Sequence, residues 1–197
     1  MGEIEDVLQR AIKALNRASI RYVVVGGLAA ILRGSPRTTS DIDVIIHYDP
    51  RNRDKLIESF RSEGFDVMES QMSAAFKEGS NFSIFAQNSI IRIDMKAARK
   101  PDEYEVLQQA VEMRFKENRL LMASIEQILY GKVLYLGDIS DLSDGELLDF
   151  NDARDFVNVF RTASTVNMEW LTKKVEAVGL SKTLQRLLAK VKDLSIK

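Results

Sequence analysis

The chain has no cysteine, one histidine and three prolines in 197 residues. Without cysteine there is no disulfide framework and no thiolate metal site. A lone His47 cannot supply a histidine-rich zinc centre. The absence of cysteine also fits a reducing compartment. No apolar run approaches the roughly 20 residues that span a bilayer. The N-terminus, MGEIEDVLQR, is acidic and amphipathic and lacks the basic-then-apolar pattern of a secretory signal. The expectation is a soluble, cytoplasmic protein that makes no use of a membrane. Excess charge is missing too: 28 Lys+Arg against 29 Asp+Glu leaves a net charge of −1, so no global field drives nucleic-acid binding. Charge is nonetheless uneven. Residues 173–197 hold seven Lys/Arg (173, 174, 182, 186, 190, 192 and 197) against Glu176 and Asp193. Such a segment is either a solvated helix face or a surface for RNA or another polyanion.

What is present suits a globular fold, with 45% apolar and 29% charged residues. Ile4, Val7, Leu8, Ala11, Ile12 and Leu15 recur at helical spacing and predict an amphipathic helix over 3–18. Ile20–Val25 reads as a buried strand ending at Gly26-Gly27, followed by a short helix over 28–32 that Gly34-Ser35-Pro36 breaks. Ile42–His47 is the next strand. A helix over 51–63, a short strand over 65–68 and a helix over 70–77 follow. Residues 81–86 and 90–95 read as a hairpin around Gln87-Asn88. Pro101 suits the start of a helix over 102–113, and Arg119–Met122 is one more short strand. Helices are expected over 124–136, 146–162, 167–178 and 180–194. Ser124-Ile-Glu-Gln127 and Ser143-Asp-Gly-Glu146 have the spacing of capping boxes. The pattern predicts an α+β fold, with a sheet and flanking helices over 1–118 and a C-terminal helical subdomain over 119–197.

Within the strand DIDVII, Asp41 and Asp43 stand two residues apart and project to one face, while Ile42 and Val44 face the other way. The strand IIRIDM repeats the device, with Arg92 and Asp94 sharing one face and Ile91, Ile93 and Met95 the other. If these strands are neighbours, Asp94 joins the first two carboxylates. Three clustered carboxylates repel unless a cation intervenes. A divalent ion resolves that conflict: Mg²⁺ takes one or two carboxylates together with phosphate oxygens, and a pair of ions clamps an in-line phosphoryl displacement. Upstream, Gly26-Gly27 ends a strand and opens a helix, a place where backbone approaches an anion closely. Taken singly, the glycine pair reads as a tight turn and the two aspartates as partners of Arg33 or Arg37.

In this order, the residues resemble the nucleotidyltransferase superfamily of the DNA polymerase β type. That family's pattern is an apolar strand, Gly followed by Gly or Ser, a spacer, then Asp-x-Asp/Glu among apolar residues. Here Gly26-Gly27 is followed by 13 residues, Leu28–Ser40, and then by Asp41-Ile42-Asp43-Val44. Asp94 in RIDMK fits the third carboxylate, and Arg37-Thr38 before the first aspartate is frequent in the family. The segments MASIEQILYGKVLYLG and NDARDFVNVF resemble the minimal and abortive-infection toxin-like branches, which carry a helix lysine and a later Asp-x-x-Asp.

The resemblance implies a nucleotidyltransferase-like mixed sheet and transfer of a nucleoside monophosphate from a nucleoside triphosphate such as ATP to an acceptor hydroxyl. Asp41, Asp43 and Asp94 would be catalytic and hold Mg²⁺ or Mn²⁺. Gly26, Gly27, Arg37, Ser40 and Lys132 would contact the nucleotide, with Ser40 or a backbone N–H replacing the Ser that many members have at Gly27. Asp152 and Asp155 would support the site, and His47 would be structural. The acceptor stays open between a tRNA 3′ end, a protein and a small molecule. The alternative is a non-catalytic module of the same fold that binds a nucleotide or a partner such as a cognate antitoxin in a toxin–antitoxin pair.

Overall fold

A computed structural model describes residues 2–193. Leu194, the last residue of the helix expected over 180–194, and Lys197 of the basic segment lie outside the described residues. The chain divides into two compact units. One is built from the chain up to Leu28 together with Thr39–Ala123; the other takes Ala29–Thr38 and the chain from Ser124 onward. The sequence division at 118/119 therefore differs on two counts. Residues 119–123 stay with the first unit, and the stretch 29–38 belongs to the second.

The first unit holds a seven-stranded mixed sheet in the order β3-β4-β5-β2-β1-β7-β6. Its strands are β1 (Tyr22–Val25), β2 (Asp41–Ile46), β3 (Phe65–Asp66), β4 (Phe82–Ala86), β5 (Arg92–Ala97), β6 (Val111–Phe115) and β7 (Asn118–Met122). Two of the pairings, β2 with β5 and β1 with β7, are parallel; the rest are antiparallel. Helices α1 (Glu3–Ala18), α3 (Arg53–Ser62), α4 (Glu69–Glu78) and α5 (Pro101–Gln108) complete it. The apolar stripe read in α1 is its buried face, where Val7, Leu8, Ile12 and Leu15 are at most 1% exposed. In β2, burial alternates with the strand period: Ile42, Val44 and Ile46 are buried, and Asp41, Asp43 and Ile45 are not. The sheet therefore has an apolar back behind the carboxylates.

α2 (Gly26–Leu32) starts in the first unit and ends in the second. The second unit is otherwise helical, with α6 (Ile125–Leu136), α7 (Asn151–Thr162), α8 (Met168–Ala177) and α9 (Ser181–Asp193). Both expected capping boxes form. Gln127 N–H donates to Ser124 Oγ at 3.3 Å, and Ser124 N–H to Gln127 Oε1 at 3.2 Å. Ser143 N–H likewise donates to Glu146 Oε2 at 2.9 Å.

Two expectations are corrected. The helix expected over 102–113 stops at Gln108, and Val111–Phe115 is a strand. Val-Glu-Met-Arg-Phe alternates apolar and polar residues, and its pairing with β7 overrides the helical propensity of Glu, Met and Arg. The helix expected over 146–162 is interrupted. A short 3₁₀ turn covers Glu146–Asp149, Phe150 is extended at φ −81°, ψ 129°, and α7 starts at Asn151.

Candidate active site

Strand register assembles the first group of residues. β2 and β5 run parallel with Asp41 opposite Arg92 and Asp43 opposite Asp94. On the other side of β2, Val25 of β1 lies opposite Asp43, and Gly26 follows at once. Asp41, Asp43 and Asp94 therefore share one face, at the end of the sheet where β1 turns into α2. Gly26 has φ +68°, and a Cβ there would lie 1.9 Å from Asp43 Oδ2. Only glycine combines that backbone conformation with room for the carboxylate.

Each outer carboxylate is oriented by a hydroxyl and faces a guanidinium. Thr39 Oγ1 donates to Asp41 Oδ1. Ser83 Oγ, on β4, donates to Asp94 Oδ1 at 2.5 Å. Arg92 Nε donates to Asp94 Oδ2 at 3.0 Å, and its terminal nitrogen stands 3.8 Å from Asp41 Oδ2. The bond to Asp94 pushes the Arg92 pKa up from its already high value. Arg92 thus supplies the cation that clustered carboxylates need. Among the described residues no three carboxylate or imidazole side chains are arranged as a ready metal cage. The donor set still suits a hard ion: oxygen ligands only, on one face, beside a glycine turn that leaves space at Asp43.

A second group forms within the helical unit. Lys132 of α6 is 4% exposed, and its Nζ lies 2.7 Å from Asp155 Oδ2 and 2.8 Å from Asp152 Oδ1. Asp155 is fully buried. Its carboxylate also accepts from Arg37 Nε at 2.9 Å, from a terminal Arg37 nitrogen at 3.0 Å and from Ser35 Oγ at 2.6 Å. Burial alone would raise the Asp155 pKa; the bonds from Arg37, Lys132 and Ser35 outweigh it and hold the carboxyl below the ordinary range. The stretch 29–38 is anchored again where Thr162 Oγ1 donates to Arg33 O at 2.6 Å.

Asp41, Asp43, Asp94 and Gly26 are therefore grouped in the first unit, and Arg37, Lys132, Asp152 and Asp155 in the second. Gly27 is buried at the start of α2. Ser40 is exposed, and its carbonyl accepts from Arg92 N–H at 3.2 Å. His47 is exposed beyond the far end of β2, edge-on to Tyr104 at 6.2 Å between ring centroids. Sequence reasoning did not single out Thr39, Ser83, Arg92 or Ser35 as site residues. Arg92 carried a signal, since it shares a strand face with Asp94. Ser35 sat in a Gly-Ser-Pro breaker that gave no hint of a buried hydroxyl. In the basic C-terminal segment, Arg186 donates to Leu142 O at 2.7 Å and pairs with Asp144 at 2.8 Å, and Lys190 lies 3.5 Å from the same carboxylate.

A family model described as a nucleotidyltransferase of unknown function (DUF6036) matches residues 3–180. The chain belongs to that family. Several solved structures share the fold. An antigenic nucleotidyltransferase-like protein from Paracoccidioides brasiliensis superposes with a TM-score of 0.62 at 20% identity, over 99% of this chain and 92% of that one. The antibiotic-resistance protein ANT(2'')-Ia, solved with adenylyl-2''-tobramycin, gives 0.52 at 16% identity, over 95% and 97%. The lincosamide antibiotic adenylyltransferase LnuA, bound to lincomycin, gives 0.50 at 15% identity, over 83% and 99%. At these identities the likeness is one of fold. No curated protein sequence matches the chain. In this nucleotidyltransferase family member, no helix among the described residues is long and apolar enough to cross a membrane.

Proposed function

We propose that the chain is a divalent-metal-dependent nucleotidyltransferase that moves a nucleoside monophosphate from a nucleoside triphosphate to an acceptor hydroxyl and releases pyrophosphate. The observation that carries this reading is the register of β2 on β5, which sets Asp43 beside Asp94 with Asp41 on the same face, next to the Gly26 turn. Asp41 and Asp43 would hold Mg²⁺ or Mn²⁺ together with the triphosphate, and Asp94 would join them. The ions, when bound, neutralise phosphate charge and lower the pKa of a coordinated hydroxyl. Asp94 accepts the acceptor's proton. The acceptor oxygen bonds to the α-phosphorus as the bridging P–O bond breaks, and pyrophosphate leaves with the electron pair. Backbone N–H groups at Gly26-Gly27 and the exposed Ser40 hydroxyl meet the outer phosphates. Arg37 and Lys132, both engaged with Asp155, fix residues 29–38, the stretch between the glycine turn and Asp41.

The similar structure solved with adenylyl-2''-tobramycin makes ATP the first donor to try and a small molecule the first acceptor; tRNA follows. The test incubates the chain with Mg²⁺, each α-labelled nucleoside triphosphate, and in turn total tRNA, protein and a panel of small hydroxyl compounds. Transfer of label by the wild type and its loss in the Asp41→Ala, Asp43→Ala double variant is the expected result. Transfer that survives the double substitution sinks the assignment.

One observation favours a second reading, a non-catalytic module that binds a nucleotide or a partner protein such as an antitoxin. Arg92 already supplies a cation to Asp94 and Asp41. Absence of transfer to any acceptor selects this reading; calorimetry with Mg–ATP then divides it, binding marking the nucleotide-binding form and no binding the partner-protein form.

A further inference from the structure

β6 is the last strand of the sheet, and no strand among the described residues lies beyond it. Such an edge presents unpaired N–H and C=O groups that template further pairing. Which residues present them follows from the neighbouring ladders. Ala123 N–H, just past the end of β7, donates to Val24 O, and Leu121 N–H of β7 faces the Tyr22 hydroxyl, so these two positions point to β1. By strand alternation, Asn118, Leu120 and Met122 point to β6, where their partners are Phe115, Met113 and Val111. The backbone groups of Glu112 and Arg114 are left facing the open edge.

The side chains alternate to match. Glu112 and Arg114 are exposed on one face, and Val111, Met113 and Phe115 are half-buried on the other. The sequence Val-Glu-Met-Arg-Phe is self-complementary about its centre. In an antiparallel pair of two copies related by a two-fold axis at Met113, Glu112 lies opposite the partner's Arg114, Arg114 lies opposite the partner's Glu112, and Val111 lies opposite the partner's Phe115. The residues brought opposite each other are those whose backbone groups face outward, so both Glu112–Arg114 pairs close with main-chain hydrogen bonds. No other nearby register does this. A slip of one residue places charges against apolar side chains, and a slip of two sets Glu112 against Glu112 or Arg114 against Arg114. Arg119, which pairs with Glu112 within one chain, lies on the same face, so the partner's Arg114 shares that carboxylate with a second guanidinium, which keeps the pairing weak.

We propose that β6 is an isologous docking edge for a second copy of this chain, joining two sheets through the register centred on Met113. A five-residue strand buries little surface, so the pairing belongs to the small, transient class below roughly 1,200 Å² and depends on concentration.

Sedimentation equilibrium and light scattering of the full chain over a wide concentration range test this. The expected result is a mass rising from the 22.3 kDa of one chain towards twice that value. Arg114→Glu sets like charges opposite each other and should hold the chain at the single-chain mass. The double swap Glu112→Arg with Arg114→Glu restores complementarity and should restore the rise. Thermal melts of each variant confirm that the fold is intact. A wild-type mass that never rises overturns the proposal. So does a rise that Arg114→Glu leaves unchanged, or one that the double swap fails to recover in a folded protein.

Discussion

Gly26 and Asp43 compete for one volume: a Cβ on the glycine would lie 1.9 Å from Asp43 Oδ2. β1 and β2 are paired up to Val25 opposite Asp43, so neither strand can back away without losing the ladder. The glycine is therefore the condition for placing a carboxylate at this end of the sheet.

Gly26→Ala should accordingly damage both stability and the site. A non-glycine residue at φ +68° costs on the order of 1–3 kcal/mol, and the clash displaces the Asp43 carboxylate in addition. Urea denaturation reads the first effect, and Mn²⁺ titration the second. Unchanged Mn²⁺ binding in the folded variant would remove Asp43 from the ion's ligands.

Arg92 stands where it offsets Asp94 and Asp41. On the transferase reading it competes with the ion, and Arg92→Gln should tighten Mn²⁺ binding by up to about fivefold, the scale of an exposed charge contact. Calorimetry with Mn²⁺ alone measures this without reference to turnover. Weaker binding in the variant would mean that Arg92 supports the ion-binding arrangement instead.

Asp155 accepts from three different side chains while fully buried. Asp155→Asn leaves the Lys132 ammonium without its buried counter-charge, and a broken buried pair costs about 3–5 kcal/mol. The pH dependence has a definite sign. The folded carboxyl titrates below its unfolded value of about 3.9, so its contribution is complete above that pH and is lost as pH falls through the folded value. Denaturation curves at pH 7 and at stepped acid pH should therefore converge for wild type and Asp155→Asn.

Tyr22 gives the opposite limb. Its hydroxyl donates to Arg119 O at 3.1 Å and accepts from Leu121 N–H at 3.4 Å. Burial pushes its pKa up to about 12. The neutral phenol is the stabilising form, so its contribution holds below the ordinary value near 10 and disappears between about 10 and 12. Tyr22→Phe should lose about 0.5–1.5 kcal/mol at pH 7 and should lack that alkaline decline, both read from melting temperature against pH.

Much of this arrangement was legible in the sequence, because strand alternation and glycine chemistry are local properties. Counting in twos put Asp41 with Asp43 on one strand face and Asp94 with Arg92 on another, leaving open whether those strands are neighbours, which the β2–β5 register supplies; the hairpin and helix caps were read from turn and capping residues. What the sequence left hidden depends on partners far along the chain. Val111–Phe115 has ordinary helix formers and no glycine in its turn, where Lys116 takes φ +54°. Only β7 makes it a strand. Lys132 and Asp155 could be picked out by resemblance, yet nothing local said that Ser35 and Arg37, 120 and 118 residues before Asp155, would meet Lys132 at its carboxylate.

The excursion of residues 29–38 also constrains how this protein can be divided. The polypeptide passes between its two units three times, at 28/29, 38/39 and 123/124. A single scission after Ala123 cannot yield two complete pieces. The N-terminal fragment would retain Ser35 and Arg37 without Asp155, and the C-terminal fragment would retain Asp155 and Lys132 without the partners that cover them. The helical portion is therefore no detachable appendage to be traded between scaffolds by simple fusion. Ten residues from within the sheet-forming half of the sequence complete it.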